Sequence, residues 1–204
     1  KYYLDRPIVE QYFIWITDTL RGDLGDSITY SRPVLTCLAE RLPRTISIGL
    51  PALILSSILG ILCGIISAIR RGKFIDNLIT FVSTIGLGAP QFWLGIVGIY
   101  IFGMKLGWLP LSGYVSPGEN FGQYIYYGVM PILILSFSLL ASVARQTRSN
   151  MLEVVNQDYI RTARANGLAE KSVIYKHALK NALIPVITTI GLQVRVVVGG
   201  SLMV

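Results

Sequence analysis

Residues Thr45–Ile69 read "TISIGLPALILSSILGILCGIISAI", a run without one charged side chain, closed by "RRGKF" at Arg70–Phe74. A helix rises about 1.5 Å per residue, so about 20 mostly apolar residues cross the hydrocarbon core of a bilayer. In lipid a chain satisfies its backbone polar groups only as helices or as a closed barrel. The apolar residues here are continuous rather than alternating, which selects the helix.

Three further stretches read the same way. Asn77–Met104 is long enough to cross but is interrupted by "GLGAP" at Gly86–Pro90. Pro90 removes a backbone donor and crowds the preceding turn, which predicts a kink or two half-helices. Tyr124–Ala144, with Pro131 near its start, is the third span, and Ala182–Val204 the fourth. The chain starts at Lys1 and ends inside an apolar run, so further spans are expected at both ends. Composition agrees: 52% of the 204 residues are hydrophobic and 14% charged, with mean hydropathy +0.58. Soluble domains carry about 25% charged residues. The expected fold class is all-α, a polytopic transmembrane helical bundle with the lipid bilayer as its main solvent.

Charge predicts which way the spans face. Residues 1–44 hold six basic and six acidic side chains, and 105–123 hold Lys105 against Glu119. Arg70–Asp76 carries a net +2 and Arg145–Lys180 a net +4; Arg195 completes the formal +7. Alternating spans put the two basic stretches on one side, and the positive-inside rule makes that side the cytoplasm. Topology therefore accounts for the high pI, and without a basic stripe of interleaved aromatics a nucleic-acid partner is not expected. Residues 1–44 become an extracytoplasmic segment and 45–204 the membrane core. In the former, Val9, Tyr12, Phe13, Ile16 and Leu20 recur at helical spacing, predicting an interfacial helix that ends at Gly22. Its "RGD" triplet reads as a coincidence in a glycine turn, and Asp5, Asp18, Asp23 and Asp26 lack a calcium-loop spacing. Cys37 and Cys63 offer neither a metal-ligand spacing nor a plausible pair.

Between the third and fourth spans lies a polar insert, about 145–181. Asn156 or Asp158 can cap a helix there. Ile160 and Ala163 share one face of it and Arg161 and Arg164 another. Asn166–Gly167 reads as a helix stop, and a second helix follows through "AEKSVIYKHALKNAL" into Pro185 and the fourth span. Small residues (Ala163, Ala165, Gly167) would let a partner's surface approach the turn closely. The residues alone leave an ordinary solvated loop equally open.

"RTARANG" at Arg161–Gly167, followed by "HALKNALIPV" at His177–Val186, resembles the EAA loop of ABC-importer permeases of the dipeptide/oligopeptide/nickel branch. The likeness runs nearly end to end: "GDLG", "RPV", "RLP", "APQFWLG", "LGWLP" and "DYIRTARANG" occur in that branch's order. Arg161–Thr162–Ala163 stand where the general pattern has Glu–Ala–Ala, and Gly167 matches its glycine. His177 and Leu179 stand at the Ile and Leu positions, with Lys180 in place of the proline.

The resemblance implies a type I ABC-importer permease fold. It also implies that Tyr159, Arg161, Thr162, Ala163, Arg164, Asn166, Gly167 and Leu168 form the coupling helix that docks on a cytoplasmic ATPase. No phosphate-binding G-x-x-x-x-G-K-[ST] loop occurs in the chain. ATP and Mg are thus expected on partner ATPase subunits, beside a second homologous permease and an extracytoplasmic solute-binding protein. The subunit is expected to be no enzyme in its own right. Rival readings have less support: an intramembrane enzyme lacks a nucleophile–base or metal set within the spans, and an ion channel lacks a filter-like motif. Cargo stays open among dipeptides, oligopeptides, glutathione-like peptides and chelated nickel.

Arg195 is the one charge in the fourth span. If the helix leaves the interface near Ile184, Arg195 lies about 16 Å deep, where an arginine costs about 2.5–3.5 kcal/mol on insertion scales. Thr188, Gly191, Arg195 and Gly199 fall on one helical face. With Gln193 and, after the proline break, Gln91, they are the candidate path residues. A buried ion pair or hydrogen-bonded arginine, or a surface covered by a neighbour, are the other readings of Arg195. Phe92 and Trp93 serve packing as readily as a path. His177, the only histidine, reads as packing or solvent-exposed.

Overall fold

The computed structural model describes residues 5–200; residues 201–204, the end of the expected fourth span, and the packing around Gly199 lie outside the described residues. The elements are α1 (Ile8–Leu20), α2 (Val34–Ile69), α3 (Phe74–Gly88), α4 (Gln91–Gly98) with a π-helical continuation Ile99–Lys105, α5 (Phe121–Val154), α6 (Asp158–Ala165), α7 (Glu170–Ser172) with a second π-helical segment Val173–Ala178, and α8 (Leu179–Gly200). Among the described residues the only strand-like pairing is the isolated bridge Asp26–Pro33. The fold is all-α.

Two compact units are distinguished, Lys1–Thr45 and Ile46–Val204. In the first, α1 closes where Gly22 takes φ +91°, a conformation glycine reaches at no side-chain cost. Val9, Tyr12, Phe13 and Leu20 are all exposed on α1.

α2, α5 and the α7–α8 run are each long and apolar enough to cross a membrane, and α3 with α4 forms a bent pair that meets the same test. Two helices outrun their spans. α2 begins at Val34 rather than Thr45, and α5 continues past Ala144 to Val154. The added segments together carry four Leu, four Arg and two Glu, good helix formers that leave them too polar to read as span. Hydropathy marks where lipid is crossed, not where a helix stops. α5 starts cleanly at Asn120, whose side chain accepts the Gln123 amide at 3.0 Å.

In the second unit α5 is the central post. α3, α4 and α8 pack on it, and α2 approaches it through Gly60 and Gly64, where a Cβ would stand 2.7 Å from Val143 Cβ and 2.7 Å from the Ala144 carbonyl oxygen, respectively. Ala52, Ser56, Gly60 and Gly64 recur every four residues and are all buried, giving a small-residue stripe of the kind that lets membrane helices pack closely. Gly86 does the same for α3, its absent Cβ lying 2.8 Å from Ala141 Cβ. Ser136 Oγ lies in the seam, its one proton shared between the Ile132 carbonyl of its own helix at 2.6 Å and the Ala52 carbonyl of α2 at 3.2 Å.

The second expected span is two half-helices. α3 and the α4 run meet at 103°, with Ala89 extended and Pro90 opening α4. The pair still carries the chain across the bundle. Asp76, at its start, contacts Arg148 near the C-terminal end of α5. Beyond its end, Tyr114 pairs with Ser47, whose carbonyl accepts from the Tyr124 hydroxyl near the start of α5. Residues 124 and 148 of one helix are about 36 Å apart at 1.5 Å per residue. The basic stretches after α2 and after α5 therefore share one end of the bundle, as alternation of the spans requires.

Candidate functional site: the helical loop between α5 and α8

The loop from Val155 to Leu179 is a folded unit with its own core. Met151 from α5, Ile160 and Ala163 from α6, Val173 and Ala178 from the π-helical segment and Ala182 from α8 form one buried cluster. Ala68, from the end of α2, packs against it. The predicted division of faces on α6 holds: Ile160 and Ala163 point in, while Arg161, Thr162, Arg164, Asn166, Gly167 and Leu168 are exposed. Ala163 is 8% exposed, so it belongs to this internal core and is not part of the surface a partner could reach. Ala165 and Gly167 are.

The expected capping differs. Gln157 is the N-cap residue and makes no side-chain cap bond. The Asn156 amide instead donates backward to the Leu152 carbonyl at 2.8 Å, and Asp158 is already inside the first turn of α6. Its place near the free amides of that helix start still suits a carboxylate.

Gly167 has φ +77°, and nothing lies within 4 Å of where its Cβ would be. The turn is closed by the Leu168 amide on the Ala163 carbonyl (3.3 Å) and the Gly167 amide on that of Arg164 (2.9 Å). Across it, Arg164 grips Glu170 with two bonds, Nε to Oε2 at 3.1 Å and Nη2 to Oε1 at 2.8 Å. That hydrogen bond raises the Arg164 pKa above its ordinary value. Both side chains are well exposed, so the bridge contributes at most about 1 kcal/mol and adds to the turn that the loop core already sets. Tyr159 is tied to the base of α8, its hydroxyl accepting from Asn181 Nδ2 at 2.8 Å. Deeper in, Asn150 Nδ2 donates to the Ala182 carbonyl at 3.2 Å. The result is a helix–turn–helix knob joined rigidly to the ends of α5 and α8, with Arg161, Thr162, Arg164, Asn166 and Leu168 outward.

The candidate path residues separate into two groups. Thr188, Gly191 and Arg195 lie together on the exposed face of α8. Gln193 is on the opposite face, buried, its Nε2 donating to the Leu139 carbonyl at 3.2 Å. It shares that buried face with Ala182, Val186 and Val197, which seat α8 on its neighbours. Because Gln193 meets α5 at Leu139, between the levels of Arg148 and Tyr124, Arg195 sits at mid-depth in the bundle. Gln91 is half-buried at the first turn of α4, directly after the break, with Phe92 and Trp93 exposed beside it.

One cluster was counted in the sequence only as charge. Asp76 is 2% exposed at the start of α3. Arg148 holds it with Nε on Oδ1 at 2.7 Å and Nη2 on Oδ2 at 2.9 Å. Ser67 Oγ donates to Oδ1, and the Gly72 amide to Oδ2 at 2.8 Å. Removing one member of such a pair when it is fully buried costs about 3–5 kcal/mol. The available signal was an aspartate within one turn of a span start; its partner, 72 positions away, had none.

Residues 60–204 match the family described as binding-protein-dependent transport system inner membrane component. Over its whole length the chain is 42% identical to an oligopeptide transport system permease protein of Bacillus subtilis, covering 66% of that protein. It is 38% identical, over 97% of its length, to a probable peptide ABC transporter permease protein of Sinorhizobium fredii, covering 63% of that protein. The chain thus spans about two-thirds of the length of these relatives.

Proposed function

Because the chain belongs to the family of binding-protein-dependent transport system inner membrane components, we propose that it is the transmembrane permease subunit of an ATP-driven importer of di- and oligopeptides. The observation that carries the reading is the rigid knob between α5 and α8. Its outward residues Tyr159, Arg161, Thr162, Arg164, Asn166, Gly167 and Leu168 form the contact for a separate ATPase subunit, which binds ATP and Mg. Ala163 acts from within by holding α6 to the loop core.

A knob packed on the ends of two membrane-length helices transmits a displacement, whereas a floppy loop would absorb it. A second, related permease completes the passage, and an extracytoplasmic binding protein delivers cargo to it. The peptide class rests on the names of the two relatives. Purification of the full chain from native membranes in mild detergent tests the assembly: an ATPase and a related permease should accompany it, and recovery of an active chain alone would overturn the reading.

Thr188, Gly191 and Arg195 form the path surface on α8, and Gln91 extends it at the break. Gln193 supports that surface from behind by anchoring α8 to α5. A guanidinium at mid-depth suits the terminal carboxylate of a peptide, as a charge-assisted bidentate contact. In reconstituted vesicles Arg195→Gln should lower uptake of peptides with a free C-terminal carboxylate by about tenfold or more, the size of one hydrogen bond to a charged group. C-terminally amidated peptides should be affected less. Equal uptake of both by the variant and the parent would reject a path role.

A further inference from the structure

We infer that Asp76 is the positioning residue through which the loop between α5 and α8 moves the broken span. The inference rests on the coupling role proposed for that loop. Three helices meet at the Asp76 carboxylate: α3 supplies it, α2 binds it through Ser67, and α5 through both nitrogens of the Arg148 fork. Arg148 lies one turn before Met151, which is wholly buried in the loop core. A displacement of the loop therefore reaches Arg148 through continuous helix and packed side chains, with no flexible residue between.

α3 packs along α5, and two contacts bracket the seam. One is the close approach of Gly86 to Ala141, just below the break; the other is the Asp76–Arg148 pair at the opposite end. With both in place α3 must follow α5, and the 103° corner at Ala89–Pro90 carries that motion into α4 and to Gln91. Without the ion pair the Asp76 end of α3 loses its only salt bridge to α5 among the described residues, and the motion of α5 reaches the corner less directly. A bidentate pair suits this task because it resists rotation as well as separation. It is also buried on the carboxylate side, so water does not readily substitute for it.

The test uses the full chain assembled with its ATPase and partner permease in vesicles. Asp76→Asn keeps the shape and the Ser67 contact but loses the charge. Uptake per ATP hydrolysed should fall about tenfold, within the range by which residues on a coupling route alter it, while the complex still assembles and hydrolyses ATP. Arg148→Lys, whose single ammonium cannot span both carboxylate oxygens, should fall between that variant and the parent.

Spin labels at Leu78→Cys and Lys171→Cys, in a background with Cys37 and Cys63 changed to Ser, read the linkage directly. In the otherwise native complex their separation should be the same in nucleotide-free and ATP-trapped states, and with Asp76→Asn it should change between them. A separation that already changes in the native complex overturns the inference even if the variants do not fold. So does an Asp76→Asn complex with native uptake per ATP, or one with lost uptake but a constant separation. If Gly167→Leu uncouples while Asp76→Asn does not, only the Asp76 inference fails. If neither uncouples, the coupling role of the loop fails with it.

Discussion

Gly167→Leu should abolish uptake, by well over tenfold, while the chain still enters the membrane. At φ +77° a leucine pays the left-handed penalty of about 1–2 kcal/mol that glycine avoids. The strain is relieved most simply by opening the turn. That would misalign Arg164 and Glu170, which face each other across the turn. The added side chain does not enter the loop core, since nothing lies within 4 Å of the position its Cβ would take. Folding is therefore spared while the outward surface is reshaped and a bulky side chain added where an ATPase would dock. ATP hydrolysis should continue without uptake. Gly167→Ala, with the same backbone strain but little bulk, should give an intermediate loss and so separates the two causes. Native uptake by the leucine variant in reconstituted vesicles would reject the coupling assignment.

Gly64→Leu should act earlier, on the fold itself. The added Cβ would stand 2.5 Å from Thr147 Cβ and 2.7 Å from the Ala144 carbonyl oxygen. The latter is helical backbone and cannot rotate away, so α2 must move off α5. Overpacking of this kind costs about 1–3 kcal/mol. Here it would be compounded because Ser67, one turn on, is bonded to Asp76. About 3 kcal/mol corresponds to a fall of about 6–12 °C in the melting temperature of a chain this size. Thermal unfolding in detergent should show it, with several-fold lower accumulation in the membrane. Ile58→Leu, on the outward face of α2, should leave both unchanged; an unshifted melting temperature for Gly64→Leu would mean that α2 is not packed on α5 through its small residues.

Much of the loop was legible. The alternation of Ile160 and Ala163 against Arg161 and Arg164, and the stop at Gly167, follow from helical period and from glycine's backbone freedom, both of which act over a few residues. The break at Pro90 was legible for the same reason, since proline's missing donor is a local defect. Which neighbours Ala163 and Gln193 meet was not legible, because a small or polar side chain gives no sign of its partner. Ala163 fills the loop core, and Gln193 crosses to a carbonyl of α5.

Sequence by itself determined that this chain crosses a membrane as helices, where one of them breaks, and that its two basic stretches belong to one side. These are properties of single segments, set by their solvation and their backbone. Only the tertiary structure decided that Gly60, Gly64 and Gly86 are packing surfaces, that Arg195 faces outward while Gln193 faces in, and that Asp76 is held by Arg148. Each of those depends on which residue stands opposite, 54 positions away for Gln193 and 72 for Asp76. Hydropathy and net charge sum over residues one at a time; a pair joined across the bundle changes neither sum.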